Sequence, residues 1–299
     1  MKKIIIEVGS TCTKFDEYDG ENIKHIQTLT IEFKRNYLKE NKIKIEDYRR
    51  LVDSVNEVKV GADFVYVGGT SIFRTLPDDE KKEFLDNFKK ETGLEFNIIS
   101  QEEENRLTVL GVTKDVNKEL LIFVGGGGSI ELAVYDGEKV IEYANSNFGA
   151  MDILNKYPDL CENYATTSLD EVKNTIGEKI NLPKNKAKIM VLAGGGHEKF
   201  ARESGIRYVK NDLYNAEKQP IMMDINSRRE DTFKYYKEIS LDNIRELEVK
   251  KNKDPNWWHA TRCMSAFVLE IAEKMGVEYI VPTDITMVYG IINDKFKSK

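Results

Sequence analysis

The sequence predicts an α/β protein of two similar domains, each with the order β-β-β-α-β-α, and a cleft between them. Two observations predict this fold. Residues 4–20, IIIEVGSTCTKFDEYDG, align without a gap on residues 121–137, LIFVGGGGSIELAVYDG. Strand and helix patterns then alternate after both copies. Each copy must bury the apolar face of its sheet under helices, and we expect the cleft where the two packed units meet.

The duplicated segment opens each domain. In both copies an apolar run predicts a strand, small residues predict a turn, and a second strand leads into Tyr-Asp-Gly, which is typical of a tight hairpin turn. The alignment places Gly9 opposite Gly126 and Glu7 opposite Val124. A third apolar strand is predicted at residues 23–33 in the first copy and at residues 139–144 in the second.

The remaining elements follow from hydrophobic periodicity and from helix start and stop signals. The first half predicts a helix at 45–55, a strand at 64–67, a helix at 77–92, a strand at 96–99 and a helix at 101–113. The second half predicts helices near Met151 and at 170–180, a strand at 189–193, helices at 232–238 and 261–275, a strand at 279–281 and a final helix. We therefore place an N-terminal domain at residues 1–120 and a C-terminal domain at 121–284, with the final helix, about 285–299, packing back on the first domain.

Composition narrows the class of protein. The 299 residues are 40% hydrophobic and 32% charged, as in folded globular proteins, and the net charge of −6 argues against binding to DNA. The N-terminal apolar run ends at Glu7, too early for a signal peptide or a membrane span, so we expect a cytoplasmic protein without a membrane partner. The cysteines and histidines show no zinc-ligand spacing.

Three glycine-rich turns, at residues 9–13, 125–129 and 194–196, each follow a predicted strand. Glycines let backbone N–H groups converge on an anion, and nearby hydroxyls add further donors. A distorted hairpin would explain one such loop, but two matching loops in a duplicated frame favour phosphate binding. The dinucleotide-binding and Walker spacings are absent. The predicted phosphate-binding residues are Ser10, Thr11, Thr13, Gly126, Gly127, Gly128, Ser129 and Gly195.

The repeated strand–loop–strand unit resembles the superfamily of actin, sugar kinases and Hsp70 ATPases. Residues 67–112, VGGTSIFRTLPDDEKKEFLDNFKKETGLEFNIISQEEENRLTVLGV, resemble the exopolyphosphatase/guanosine pentaphosphate phosphatase family, which has a T-S-x-x-R turn and then I-S-G-x-E-E-A-R-L. VGGGGSIELAVYDG, NFGAMDIL and AGGGH resemble later loops of that family. The resemblance implies two actin-like, ribonuclease H-like domains.

The resemblance also implies a reaction, the hydrolysis of a terminal phosphate from linear polyphosphate or a (p)ppGpp-type nucleotide. It implies Glu104 as the water-activating residue, Arg74 as a phosphate ligand and Glu131 as a metal-site residue, with Mg²⁺ as cofactor. We add Glu7 as a second candidate metal ligand. From the residues alone, the acidic run at 102–104 is better explained as a solvated helix N-terminus, and the resemblance makes Glu104 the preferred catalytic candidate.

The sequence departs from the family pattern at the loops. The aspartate that begins each phosphate loop is replaced by Glu7 in the first loop and by Val124 in the second. Gln101 stands where the family has glycine, and Ile130 where it has threonine. Loss of one carboxylate ligand weakens a magnesium site, and ~3 kcal/mol of lost charge stabilisation slows a reaction roughly a hundredfold.

Two functions therefore remain open, a diverged phosphohydrolase and a catalytically impaired regulator that binds polyphosphate or a nucleotide. A weaker third alternative is an actin-like ATPase or kinase. The stretch GSTCTK also resembles the first loop of acyl-CoA dehydratase activators, but their cluster-binding cysteine motif is missing. We interpret the basic residues between 34 and 50 as a solvated face, with steering of a polyanion as the alternative. Homodimer formation stays a hypothesis.

Overall fold

The computed structural model describes residues 1–114, 116–194, 197, 209–210, 221–243, 246 and 260–296. It contains two mixed β-sheets with helices packed on them. The first sheet contains β1 (Lys3–Val8), β2 (Cys12–Tyr18), β3 (Ile23–Thr30), β4 (Phe64–Gly69) and β5 (Phe96–Ile98). The second contains β6 (Leu120–Gly125), β7 (Ile130–Tyr135), β8 (Val140–Ser146), β9 (Ile189–Ala193), β10 (Val209–Lys210), β11 (Ile221–Asp224) and β12 (Tyr279–Pro282).

The helices of the described segments lie between and after these strands. They are α1 (Phe33–Glu40), α2 (Ile45–Val58), α3 (Ile72–Thr75), α4 (Asp78–Thr92), α5 (Gln101–Val112), α6 (Ala150–Lys156), α7 (Leu169–Lys179), α8 (Ile225–Lys237), α9 (Thr261–Met275) and α10 (Met287–Phe296), with a short 3-10 turn at Pro158–Cys161. Among these helices, none combines the length and the apolar composition needed to cross a bilayer.

The two sheets share one strand order. The first runs β3-β2-β1-β4-β5, and the second runs β8-β7-β6-β9-β12 before it continues into β11 and β10. In both, the first three strands pair in antiparallel fashion, and the fourth and fifth continue in parallel. The predicted duplication therefore extends over five strands, and β10 and β11 are additions to the second sheet.

The hydrogen bonds reproduce the ungapped alignment of the two copies. In the first loop, Gly9 N donates to Cys12 O at 2.9 Å. In the second loop, Gly126 N donates to Ser129 O at 3.0 Å. The side chains that the alignment paired therefore occupy equivalent positions on the two sheets.

Helix α5 packs against both sheets, and its first turn lies at their junction. Leu107 packs with Ile5 of the first sheet, and Val109 packs with Ile122 of the second. The last helix, α10, crosses α5 at a short distance. A Cβ added at Gly290 of α10 would lie only 1.9 Å from Leu107 O of α5. The apolar face of α10 contributes to the same core as Ile5.

Two elements differ from the sequence prediction. The third strand was expected to reach residue 33, but β3 ends at Thr30 and α1 begins at Phe33. Phe33 and Tyr37, one helical turn apart, pack into the core of the first sheet. The helix predicted at 232–238 begins earlier, at Ile225, because the Asp224 side chain caps it by accepting hydrogen bonds from two backbone amides.

Substitution of Gly290 tests the close crossing of α5 and α10. We expect Gly290→Ala to lower the free energy of unfolding by about 1–3 kcal/mol, because the added methyl group meets the backbone of α5. Urea unfolding measures the loss. Gly177→Ala is the matched control, since the methyl group there meets only the ends of the Lys274 and Glu270 side chains. Equal losses for the two variants would contradict the packing described.

Candidate functional site

The two duplicated glycine loops meet face to face at the junction of the sheets. A Cβ added at Gly127 would lie 1.8 Å from Thr11 Oγ1, so only glycine permits this approach. The Ser10 hydroxyl also lies next to the second loop, and it accepts a hydrogen bond from Ile72 N at 3.3 Å. The predicted residues of the first and second loops are therefore brought together across the junction.

Helix α6 holds the second loop in place. Ala150 N donates to Gly126 O at 3.1 Å, and Met151 N donates to Gly127 O at 2.8 Å. The helix thus uses its free N-terminal amides to fix carbonyl groups of the loop. Within the part of the chain that the structure describes, the amides of Gly127 and Gly128 have no acceptor. Unpaired backbone amides of a glycine loop are the kind of donor that binds anions in such loops.

Lys34 ties the first half of the chain to this loop. Its ammonium donates to Gly128 O at 3.0 Å and to Asp152 Oδ2 at 2.6 Å, and only 12% of its side chain is exposed. Asp152 Oδ2 also accepts from Gly149 N at 2.8 Å. The interpretation of the basic run as a solvated face is therefore wrong for Lys34. Its side chain forms a structural link between the two halves of the chain.

Arg74 connects residues of both halves at the centre of the site. Its guanidinium donates to Glu104 Oε2 at 2.7 Å, to Ile99 O at 3.1 Å and to Ser129 Oγ at 3.2 Å, and it lies 3.7 Å from Glu131 Oε1. Its Nε is buried and has no partner among the described residues. Arg74 is thus held by Glu104, Ile99 O and Ser129, and its Nε donor is unpaired within the described part of the chain.

Backbone strain lies next to Arg74. A turn connects β4 to the short helix that carries Arg74. In this turn Ser71 has a φ of 46°, a conformation that residues other than glycine rarely adopt. Such strain is often found where a loop is shaped for a ligand. An added Cβ at Gly128 would lie 2.1 Å from Ser71 Oγ, so this turn lies directly against the second loop.

The first turn of α5 contributes the Glu104 carboxylate and the Gln101 side-chain amide to the site. Ser100 caps the helix by accepting from Glu103 N at 3.1 Å, which fixes the position of Glu104 one residue later. Gln101 Nε2 donates to Glu131 Oε1 at 2.8 Å and to Ser146 O at 3.2 Å. Gln101 therefore ties the first turn of α5 to Glu131 of β7 and to Ser146 of β8 in the second sheet.

The first loop contains a second ion pair. Glu7 and Lys14 are direct partners across β1 and β2, and Lys14 Nζ lies 3.2 Å from Glu7 Oε1. The exposed fractions of the two side chains are 15% and 19%. Glu7 Oε2 and the hydroxyls of Thr11 and Thr13 are buried without a hydrogen-bond partner among the described residues. Unpaired buried polar atoms next to a glycine loop are suited to bind a polar ligand.

Burial controls the ionisation of the acids. It raises the pKa of Glu104 above its ordinary value, although the Arg74 guanidinium opposes the shift. Burial, followed by the nearby Glu104 charge, raises the pKa of Glu131, which is only 1% exposed. Burial alone would lower the pKa of Lys14, but the Glu7 carboxylate, together with the nearby Cys12 and Asp16, raises that pKa above its ordinary value. The site therefore stabilises a charged Lys14 and disfavours the simultaneous ionisation of Glu104 and Glu131.

The donor set does not fit a resident divalent cation. Mg²⁺ prefers a near-octahedral shell of oxygen ligands, yet Val124 supplies none and Lys14 and Gln101 hold the oxygens of Glu7 and Glu131. No three Asp, Glu, His or Cys side chains in the described ranges are arranged to hold a metal ion. One orphaned oxygen, Glu7 Oε2, is too few for such a shell.

The structure thus brings Ser10 and Thr11 of the first loop against Gly127 and Gly128 of the second, and it joins Arg74 to Glu104, Ser129 and Glu131. Gly195 lies outside the described residues. Sequence reasoning missed Lys14, Lys34 and Gln101 as contributors. The register of the first hairpin could have found Lys14, because a Gly-centred loop pairs Glu7 with Lys14 across the strands.

Comparison with known proteins places this arrangement in context. The sequence pattern of the Ppx/GppA phosphatase family matches residues 28–254, which include the stretch 67–112. The structure is similar to an exopolyphosphatase from Cytophaga hutchinsonii, with a TM-score of 0.79 at 13% identity over 98% of this chain and 96% of that chain. It is also similar to the Aquifex aeolicus Ppx/GppA phosphatase in its type II variant, with a TM-score of 0.66 at 15% identity over 99% of each chain.

These structural similarities confirm the predicted fold class of two actin-like α/β domains. A second structure of the Aquifex aeolicus family member has a TM-score of 0.68 at 15% identity over 98% of this chain and 96% of that chain. Sequence comparison with curated proteins finds no match. At these identities the structural similarity shows the fold, and the roles of individual residues have to be argued from the site itself.

The contact between the loops is tested by a pair of substitutions. We expect Gly127→Ala to lower the free energy of unfolding by about 1–3 kcal/mol, because the new methyl group overlaps Thr11 Oγ1. Thr11→Ala in the same chain removes that oxygen and should restore part of the loss. Thermal unfolding of the two single variants and the double variant measures the coupling. Strictly additive effects would contradict direct contact between the loops.

The buried state of Glu131 predicts a pH dependence of stability. A carboxyl group whose pKa is raised by folding stabilises the protein below its unfolded pKa, and that contribution is lost as pH rises through the folded pKa. We therefore expect Glu131→Gln, which keeps the neutral shape, to gain stability relative to the wild type between about pH 5 and pH 8. Urea unfolding at several pH values measures the difference. The exposed Glu138→Gln is the control, and a difference that is constant with pH would contradict the assignment.

Proposed function

Because this chain belongs to the Ppx/GppA phosphatase family, we propose that it hydrolyses the terminal phosphate of linear polyphosphate or of guanosine pentaphosphate. Family membership supports an exopolyphosphatase or GppA-type phosphatase in general, and the substrate and residue roles are our proposal. The observation that carries it is the buried pair of Glu104 and Arg74 beside two opposed glycine loops. Phosphoryl transfer requires a positioned water and compensation of phosphate charge, and these groups can supply both.

Binding of the terminal phosphate falls to Arg74 and the loops. The guanidinium has a free, buried Nε and a donor turned towards Ser129 Oγ, so it can engage phosphate oxygens while it keeps contact with Glu104. A charge-assisted pair of this kind fixes both position and orientation. The unpaired amides of Gly127 and Gly128 and the Thr11 hydroxyl would add donors to the same group.

Activation of water falls to Glu104. The water oxygen forms a bond to the terminal phosphorus while the bridging P–O bond breaks, and the leaving chain keeps the bridging oxygen. The water proton passes to a Glu104 oxygen. A carboxylate with a raised pKa accepts that proton more readily than an exposed one, and the Arg74 guanidinium favours its charged form.

One observation favours a second candidate function. Val124 removes a carboxylate from the second loop, and Glu104 is engaged by Arg74 at 2.7 Å. A chain of this kind could bind polyphosphate or a guanosine nucleotide and release no phosphate. Such a regulator would bind tripolyphosphate in calorimetry and show no turnover with any divalent metal.

The role of Glu104 is tested by phosphate release from polyphosphate and from guanosine pentaphosphate. We expect Glu104→Gln to reduce the rate about a hundredfold or more while tripolyphosphate still binds, since a general base contributes 10²–10⁴-fold. Glu102→Gln is the matched control, because Glu102 is an exposed acid in the same helical turn. Equal rates for wild type and Glu104→Gln would remove Glu104 from the mechanism. Binding without release by the wild type would favour the regulator.

A further inference from the structure

The first loop places a lysine where the duplicated frame has an acid. Glu7 and Lys14 are register partners in the first hairpin, and Val124 and Glu131 are register partners in the second. Lys14 therefore occupies the position equivalent to Glu131, and Glu7 the position equivalent to Val124. Each hairpin brings one acid to the junction, and the first adds an ammonium group.

The charges at the junction are already matched by side chains. Glu7 is paired with Lys14 at 3.2 Å, and Glu104 is paired with Arg74 at 2.7 Å. Glu131 accepts from Gln101 and lies 3.7 Å from Arg74. A divalent cation at this place would have to displace the ammonium from Glu7, and a desolvated ion pair with one partner removed is costly.

We propose that Lys14 serves in place of a divalent metal ion, so that its ammonium and the Arg74 guanidinium neutralise the bound phosphate. This inference rests on the proposed function, since it assigns the cation used at the same site. Lys14 flanks the first glycine loop, which contacts the second loop through Thr11 and Gly127, and Arg74 donates to Ser129 of that second loop, so both cations belong to the junction of the two loops. The Lys14 ammonium has three donors, of which Glu7 takes one.

The role of Glu7 follows from this arrangement. Its Oε1 fixes the ammonium, and the buried Oε2 has no partner among the described residues. Glu7 is thus a positioning residue for Lys14 rather than a metal ligand. Phosphatases of this family are generally metal-dependent, so replacement of the metal by a lysine would set this chain apart.

The first experiment measures Mn²⁺ binding to the full chain without any phosphate ligand, by the loss of the free Mn²⁺ signal in electron paramagnetic resonance. We expect the wild type and Lys14→Arg to show no site dependent on Glu7. Lys14→Met should also show no such site, because Val124 and the hydrogen-bonded Glu131 still leave too few oxygen ligands when the ammonium is absent. Lys24→Met, an exposed lysine on the neighbouring strand, is the control. A wild-type Mn²⁺ site that Glu7→Gln abolishes would overturn the proposal.

The second experiment measures tripolyphosphate binding by calorimetry in excess EDTA. We expect binding by the wild type, retention in Lys14→Arg, and at least a roughly tenfold loss in Lys14→Met, in line with the loss of one charge-assisted hydrogen bond. Thermal unfolding confirms that the variants are folded. Undiminished binding by Lys14→Met would overturn the role of Lys14. Neither experiment requires turnover, so binding and metal results as expected with no phosphate release would reject the proposed hydrolysis alone.

Discussion

The site depends on one buried charge network centred on Arg74. Its guanidinium comes from the first half of the chain and contacts Glu104 at the start of α5 and Ser129 of the second loop. With 13% of its side chain exposed, it interacts in a medium where charge–charge forces exceed those in water. Removal of either partner would leave an uncompensated buried charge, so the network fixes the relative position of both loops.

The glycine loops provide the rigid part of the same site. Their close contact at Thr11 and Gly127, the bonds from α6 and the Lys34 bridge leave little freedom for rearrangement. A site of this kind is preorganised, because its donors are fixed before the phosphate arrives. The several glycines of the second loop therefore serve two purposes. They expose amides to an anion, and they allow the two halves to approach.

Much of the fold could be predicted from the sequence, because each copy of the internal repeat supports the strands and turns assigned to the other copy. The equal spacing of the two hairpins predicted their register, and the same hydrogen bonds occur at Gly9 and Gly126. The boundary between β3 and α1 could not be predicted as easily, because an apolar run such as that around Phe33 suits a strand or a helix until its packing partners are known. The loops and Glu104 could be proposed from motifs. Lys14 and Lys34 could not, since their roles arise from cross-strand and interdomain contacts that single-residue patterns do not encode.

A crystal structure with orthophosphate, grown in EDTA, would locate the bound anion. We expect it within hydrogen-bonding distance of the Arg74 guanidinium, of the Lys14 ammonium and of the amides of Gly127 and Gly128. An anion bound elsewhere, with Arg74 still turned only to Glu104 and the two loops unoccupied, would contradict this expectation.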